Sequence, residues 1–336
     1  MSNVKKLTGG GETAPSEKPK LRIVELCAGI GCQLRGIENT GLFDVEIVAT
    51  SEIDIHATIS YAAIHHGLTE RMIDEYDFPD LAEMQQFLTD INLGYRPEKD
   101  ERYNWNKTGK KFERQIKKCY LACKLNRNFG DISLINSLPD ADLWTLSFPC
   151  TDVSIAGKLK GLSPDDHTRS SLIWQTIRLL GAAKESNTLP KYMLLENVKN
   201  LVGKRYINDF TTFNSLIEEF GYNTYWDVIN GKNCGVPQNR ERVFAFYIRN
   251  DIDTRNFTFP TPFDNGLRLG DVLEDDVDER YFIRTKKAQD LIQKLLDEGV
   301  IGNENPDRQT DRQTDRQTDR QTDRQTDRQT DNRLVS

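Results

Sequence analysis

Two short apolar runs in this chain each lead into a reactive side chain. Residues 143–148 run into Pro149 and Cys150, and residues 192–195 run into Glu196 and Asn197. Both runs have the length and composition of buried strands, and the segment from Ser170 to about Ala183 between them suits a crossover helix, so the two strands should lie parallel in one sheet. In an open sheet of this kind the ligand crevice forms outside the carboxyl ends of the strands. A thiol and a carboxylate at two such ends can therefore face one substrate, as nucleophile and proton donor.

The rest of the pattern extends this sheet. Residues 21–26 read as a first strand, Gly29 and Gly31 open a helix that stops before Gly41, and residues 45–49 give a second strand ahead of Glu52. Residues 206–220 read as a helix ended by Gly221, followed by strands over 222–228 and 242–248 whose short connection allows antiparallel pairing. The expected class is α/β, a doubly wound mixed sheet. Between the second and third strands lies a long insertion, residues 61–128, and connections of that length are seldom structureless.

Four segments, in order, carry a family resemblance: the loop from Glu25 to Gly31, Pro149-Cys150, Glu196-Asn197-Val198, and Gln238 with Arg240 and Arg242. They resemble the cytosine-C5 DNA methyltransferases of bacterial or phage restriction–modification systems over roughly residues 20–300. The resemblance implies a seven-stranded, Rossmann-like sheet, S-adenosyl-L-methionine as cofactor, no metal, and methyl transfer to C5 of cytosine in duplex DNA. It assigns Cys150 to attack at C6, Glu196 to serve N3, and Arg242 to hold O2 with Arg240 and Gln238 nearby. Pro149 stiffens the approach to the thiol, Ser154 holds the loop or a phosphate, and Asn197 fixes the loop.

On the cofactor side the resemblance points to Cys27, Gly29, Gly31, Glu52, Asp131, Ile132 and Leu172, with Glu52 on the ribose hydroxyls, Asp131 and Ile132 on the adenine and Leu172 towards the methionine. Leu34 stands where a dinucleotide fingerprint wants its third glycine, and a cofactor without a pyrophosphate does not need one. Two departures from the commonest form stand out. Thr151-Asp152-Val153 replaces Gln-Pro-Phe after the nucleophile, and Cys27 replaces a phenylalanine.

Base chemistry in a duplex requires the target to leave the stack, so duplex DNA with base flipping is the expected partner. A tRNA-methylating branch shares the core motifs and is the enzyme-class alternative. The resemblance implies a catalytic domain (21–250) and a partial target-recognition region (251–306), and composition sets off a disordered leader (1–20) and a disordered repeat tail (307–336). The family's last two segments are absent, which predicts a truncated chain: a non-catalytic cofactor- or DNA-binding fragment, or one completed by a second polypeptide. The tail repeats Asp-Arg-Gln-Thr from Asp307 to Thr330 and has no apolar position with which to build a core. Those residues can be encoded by a GACA tract, whose slippage shifts the reading frame, so a phase-variable switch is expected.

Composition decides less. A 37% apolar content supports a core, no run is long enough to span a bilayer, and the first residues lack the apolar segment of a secretory signal. The six cysteines form no disulfide framework or zinc pattern, so a reducing cytoplasm and a soluble monomer are expected, with Cys119 and Cys123 on a helix face. The net charge of −7 is unhelpful to a DNA binder, but residues 99–127 concentrate Lys107, Lys110, Lys111, Arg114, Lys117, Lys118 and Lys124 among aromatic residues. That stretch reads either as a DNA-backbone contact or as a solvated basic helix anchored by its aromatics.

Overall fold

A computed structural model describes residues 18–97, 99–149, 172–274, 277–281 and 284–299. The expectations placed on Cys150, Ser154, the leader before residue 18 and the Asp-Arg-Gln-Thr tract lie outside the described residues. The chain divides into two compact units, Met1–Leu269 and Gly270–Ser336.

The first unit is built on a six-stranded sheet in the order β2-β1-β3-β4-β6-β5, comprising β1 (Lys20–Leu26), β2 (Asp44–Ser51), β3 (Leu143–Leu146), β4 (Tyr192–Val198), β5 (Tyr222–Asn230) and β6 (Glu241–Arg249). β2, β1, β3 and β4 are parallel, while β6 runs antiparallel to both β4 and β5. The antiparallel end follows the sequence expectation. The count corrects it, because the described residues supply six strands where the resemblance implies seven.

Strand alternation sorts the side chains to two faces. Val24, Leu26, Trp144, Met193, Leu195 and Ala245 join the larger core, packed by α6 (Ile173–Glu185) and α7 (Ile207–Glu219). Leu21, Ile23 and Leu143 face α1 (Cys32–Asn39) and α2 (Ile55–His66), where they meet Leu34 and Tyr61. Glu25 points to this second face, is 1% exposed and accepts a hydrogen bond from the Tyr61 hydroxyl. Desolvation raises its proton affinity from the ordinary value of 4.5 to about 7.

Tyr61, where the insertion is expected to begin, lies inside α2. It is a buried core residue there, and the helix runs on to Gly67, whose left-handed conformation ends it. Beyond it come α3 (Glu70–Glu75), α4 (Leu81–Asp90) and α5 (Lys110–Leu125), with their own core of Met84, Leu88, Trp105, Ile116, Cys119 and Cys123. The Trp105 indole donates to the Leu93 carbonyl at 2.9 Å, so this buried ring is also satisfied. The two cysteines lie on the buried helix face as expected.

The basic residues of α5 are largely engaged within the insertion. Arg114 bridges Glu70 and Asp74, Lys118 pairs with Glu70, Lys117 with Glu113, and the Lys124 ammonium lies 3.9 Å from the centre of the Phe87 ring. Of the two readings, the anchored basic helix accounts for these positions.

The second unit contains α8 (Lys286–Asp297), capped by the Thr285 hydroxyl, which accepts from the Ala288 amide.

Candidate active site at the carboxyl ends of the strands

Glu196 ends β4 on the face opposite Met193 and Leu195, and cross-strand register sets its partner. It pairs with Phe244, so Arg242, two residues away on the antiparallel strand, is its diagonal neighbour on the same face. The Arg242 Nε lies 3.1 Å from Glu196 Oε1, and both side chains are about a quarter exposed. Burial raises the proton affinity of Glu196; the charges of Arg242 and then Arg240 oppose it without cancelling it. A carboxyl group whose proton affinity is raised by burial is a better proton donor than a free one.

One residue further, Asn197 points to the other face and is buried. Its Nδ2 donates to the Phe148 carbonyl at 3.0 Å. The bond reaches the segment just ahead of the loop that Asn197 is expected to fix, since Phe148 precedes Pro149. A second tie comes from α1, where Gln33 Nε2 donates to the Ser147 hydroxyl. The Ser147 amide donates to the Leu26 carbonyl at 3.1 Å. The approach to Cys150 is therefore held from both flanking strands. Sequence reasoning missed Gln33, because nothing local distinguishes it from a solvent-facing helix residue.

On the cofactor side, Cys27, Gly29 and Gly31 adopt positive φ, which turns the backbone sharply after β1. Glycine is required at Gly31, where a Cβ would meet His65 Nε2 at 2.2 Å. Burial pushes the Cys27 thiol up, leaving it protonated and packed against the larger core. Glu52 accepts from the Gly29 amide through Oε2, and from the Ile53 and Asp54 amides through Oε1, each at 2.8 Å. The glycine loop and the end of β2 are locked together by that one carboxylate.

Asn128, another residue the sequence reading missed, pairs with the Glu52 backbone through its side-chain amide, accepting from the Glu52 N–H at 3.0 Å and donating to its carbonyl at 2.9 Å. Asp131 accepts from Asn92 Nδ2 at 2.8 Å and from the Ser133 amide and hydroxyl, while Ile132 is buried in the larger core.

A cavity of about 450 Å³ brings Glu52, Pro149 and Leu172 together, three residues singled out on separate segments of the sequence. Asp131 and Ile132 do not line it. Gln238 and Arg240 are exposed, and they border a shallower pocket with Val198 and Arg242.

The profile of the C-5 cytosine-specific DNA methylases matches residues 105–334. The type II methyltransferase M2.ScrFI of Lactococcus lactis subsp. cremoris is 39% identical over 272 residues, 80% of this chain and 72% of that protein. The orphan methyltransferase M.SssI of Spiroplasma monobiae is 33% identical over 238 residues, 69% of this chain and 60% of that one. Among solved structures, the S. pombe Dnmt2 methyltransferase aligns with a TM-score of 0.46 and 16% identity, covering 82% of this chain and 66% of the other.

Proposed function

Because this chain belongs to the C-5 cytosine-specific DNA methylases, we propose that it methylates cytosine in duplex DNA as a modification enzyme, and that Cys150, Glu196 and Arg242 act on the flipped base. The observation that carries the reading is the carboxyl group of Glu196, held 3.1 Å from Arg242 on the strand beside the segment that ends in Pro149. The family's cofactor, S-adenosyl-L-methionine, supplies an electrophilic methyl group. The cavity fits it: the volume is within the range of small-molecule sites, and the Glu52 carboxylate offers lone pairs to hydroxyl donors of a ribose.

Cytosine C5 is a weak nucleophile until the ring is activated. The Cys150 thiolate forms an Sγ–C6 bond while Glu196 gives a proton to N3, and the electron pair thereby released makes C5 an enamine carbon able to take the methyl group. Loss of the C5 proton to a base, departure of the thiolate from C6 and return of the N3 proton to Glu196 then restore aromaticity and the acid. Arg242 neutralises the carboxylate left on Glu196 and is placed to hold O2; Asn197 and Gln33 keep the thiol segment in line. A reducing cytoplasm suits a free thiol of this kind.

The test uses the full chain with labelled cofactor, duplex DNA and tRNA side by side, together with adduct capture on 5-fluorocytosine DNA. Label in DNA, and an adduct lost in Cys150→Ser but kept in Cys234→Ser, is the expected result. Label confined to tRNA assigns the chain to the other substrate, and no label in either overturns activity of this chain alone, the outcome expected of a truncated form that needs a second polypeptide.

A further inference from the structure

The insertion is bolted to the cofactor loops at several points. The Gly94 amide donates to the Ile53 carbonyl at 2.7 Å, Asn92 donates to Asp131, and the Asp131 amide donates to the Ile91 carbonyl at 3.0 Å. Gly130 closes against Ile91 so tightly that a Cβ would lie 1.9 Å from its carbonyl oxygen. These contacts join residues 91–94, in the middle of the insertion, to the segments that follow β2 and precede β3. They also carry Tyr95, Arg96, Tyr103 and Gln115 to the cavity that Glu52, Pro149 and Leu172 line from the sheet side.

Resting on the cofactor reading above, we infer that the insertion is a wall of the cofactor site and that the Tyr103 ring is the face on which the cofactor's adenine lies. Cys27, where the resemblance places an adenine contact, packs against the core and does not line the cavity. A purine needs a flat surface; among the described residues Ile53, Ile55, Pro149 and Leu172 offer aliphatic ones, and the His56 imidazole, which also lines the cavity, is exposed. Two tyrosines line it too. The Tyr95 hydroxyl is turned to Asp100, at 2.8 Å.

Tyr103 and Ile55 both pack on Gly94. Gly94 sits between them with φ +82°, and a Cβ there would lie 2.8 Å from Tyr103 Cβ and 2.9 Å from Ile55 Cδ1. Only glycine permits that approach. The ring is fixed in advance by Trp105, with centroids 4.6 Å apart, and by Gln115 Nε2, which donates to its hydroxyl at 3.4 Å. A preordered aromatic surface binds a base without a further ordering cost.

Calorimetry on the full chain tests this with S-adenosyl-L-methionine and with methylthioadenosine, which keeps the adenine and lacks the amino acid. Tyr103→Leu should weaken both by about tenfold, the scale of one base–aromatic stack. Tyr103→Phe and Tyr95→Leu should stay within about twofold, since the first keeps the ring and the second leaves it untouched.

Nitration of the wild-type chain, read by mass spectrometry, needs no variant to fold. Saturating cofactor should shield Tyr103 and leave the exposed Tyr76 reactive. Unchanged affinity in Tyr103→Leu, a loss carried by Tyr95→Leu instead, or unshielded Tyr103 overturns the inference while the cofactor reading stands. Absence of cofactor binding by the wild type overturns both.

Discussion

Glu52 and Glu196 both stand at strand ends, and burial raises the proton affinity of both, yet they are opposed by different things. At Glu52 the counterweight is backbone: the amides of Asp54, Gly29 and Ile53 lower it. At Glu196 it is the side-chain charge of Arg242, helped by Arg240. Backbone amides fix a carboxylate in place and cannot be withdrawn without rebuilding the loop. A guanidinium on a neighbouring strand acts through its charge, and at Glu196 that charge opposes protonation only in part. The first arrangement suits a binding contact and the second an acid.

The comparison breaks most visibly in the two glutamates themselves. Glu196→Gln should lower the methylation rate by roughly 10²–10⁴-fold, the usual worth of a positioned acid, with cofactor affinity unchanged in calorimetry. A variant that keeps its rate would remove Glu196 from the chemistry. Glu52→Ala should do the reverse at a smaller scale, weakening cofactor binding by roughly 10- to 100-fold, the loss of a charged hydrogen-bond acceptor, and melting earlier as three amides lose their partner. A cofactor affinity indifferent to Glu52 would dissolve the contrast.

Asn197→Ala tests what lies between the two sites. Leaving the Phe148 carbonyl without its donor should cost about 1–3 kcal/mol of stability in denaturant titration, with a lowered rate of adduct formation. An unchanged rate would separate the Asn197 bond from the thiol's placement.

Glu25 sharpens the comparison as a third strand-end carboxyl, one with neither a cation nor a backbone cradle of that size. Tyr61, the Leu34 amide and Thr145 oppose its burial only in part. Since its folded-state value of about 7 lies above the ordinary 4.5, the folded chain holds a proton that the unfolded chain has released across that window. Its contribution to stability therefore falls by about 1.4 kcal/mol per pH unit as the pH rises through the window, and levels off above it. Glu25→Gln should lack that decline, so its stability relative to wild type should be higher at pH 7.5 than at pH 5; parallel curves would refute the assignment.

Much of this was legible in the sequence where a local pattern and a tertiary role coincide. The strands at residues 143–148 and 192–195 are recognisable because buried parallel strands are apolar on both faces, and Glu196 and Pro149 are placed by ending them. Glu52, Pro149 and Leu172 reach one cavity because strand ends converge there. Asn92, Asn128 and Gln33 were illegible for a plain reason: a polar side chain in a polar segment looks the same whether it meets water or a buried amide. The charge pattern left two readings open for a related reason. Arg114 and Lys118 read as free cations in a basic run, but the carboxylates that neutralise them, Glu70 and Asp74, lie some forty residues earlier.

The bolts between the insertion and the cofactor loops also bear on how such chains can recombine. A crossover inside residues 92–131 would separate Asn92 from Asp131, or part Gly94 and Tyr103 from the Ile53 and Ile55 they were shaped against. The insertion is therefore not an interchangeable module. Exchange with a relative should preserve cofactor binding only when residues 52–131 travel as one block, which ties the history of this outgrowth to the binding loop beneath it.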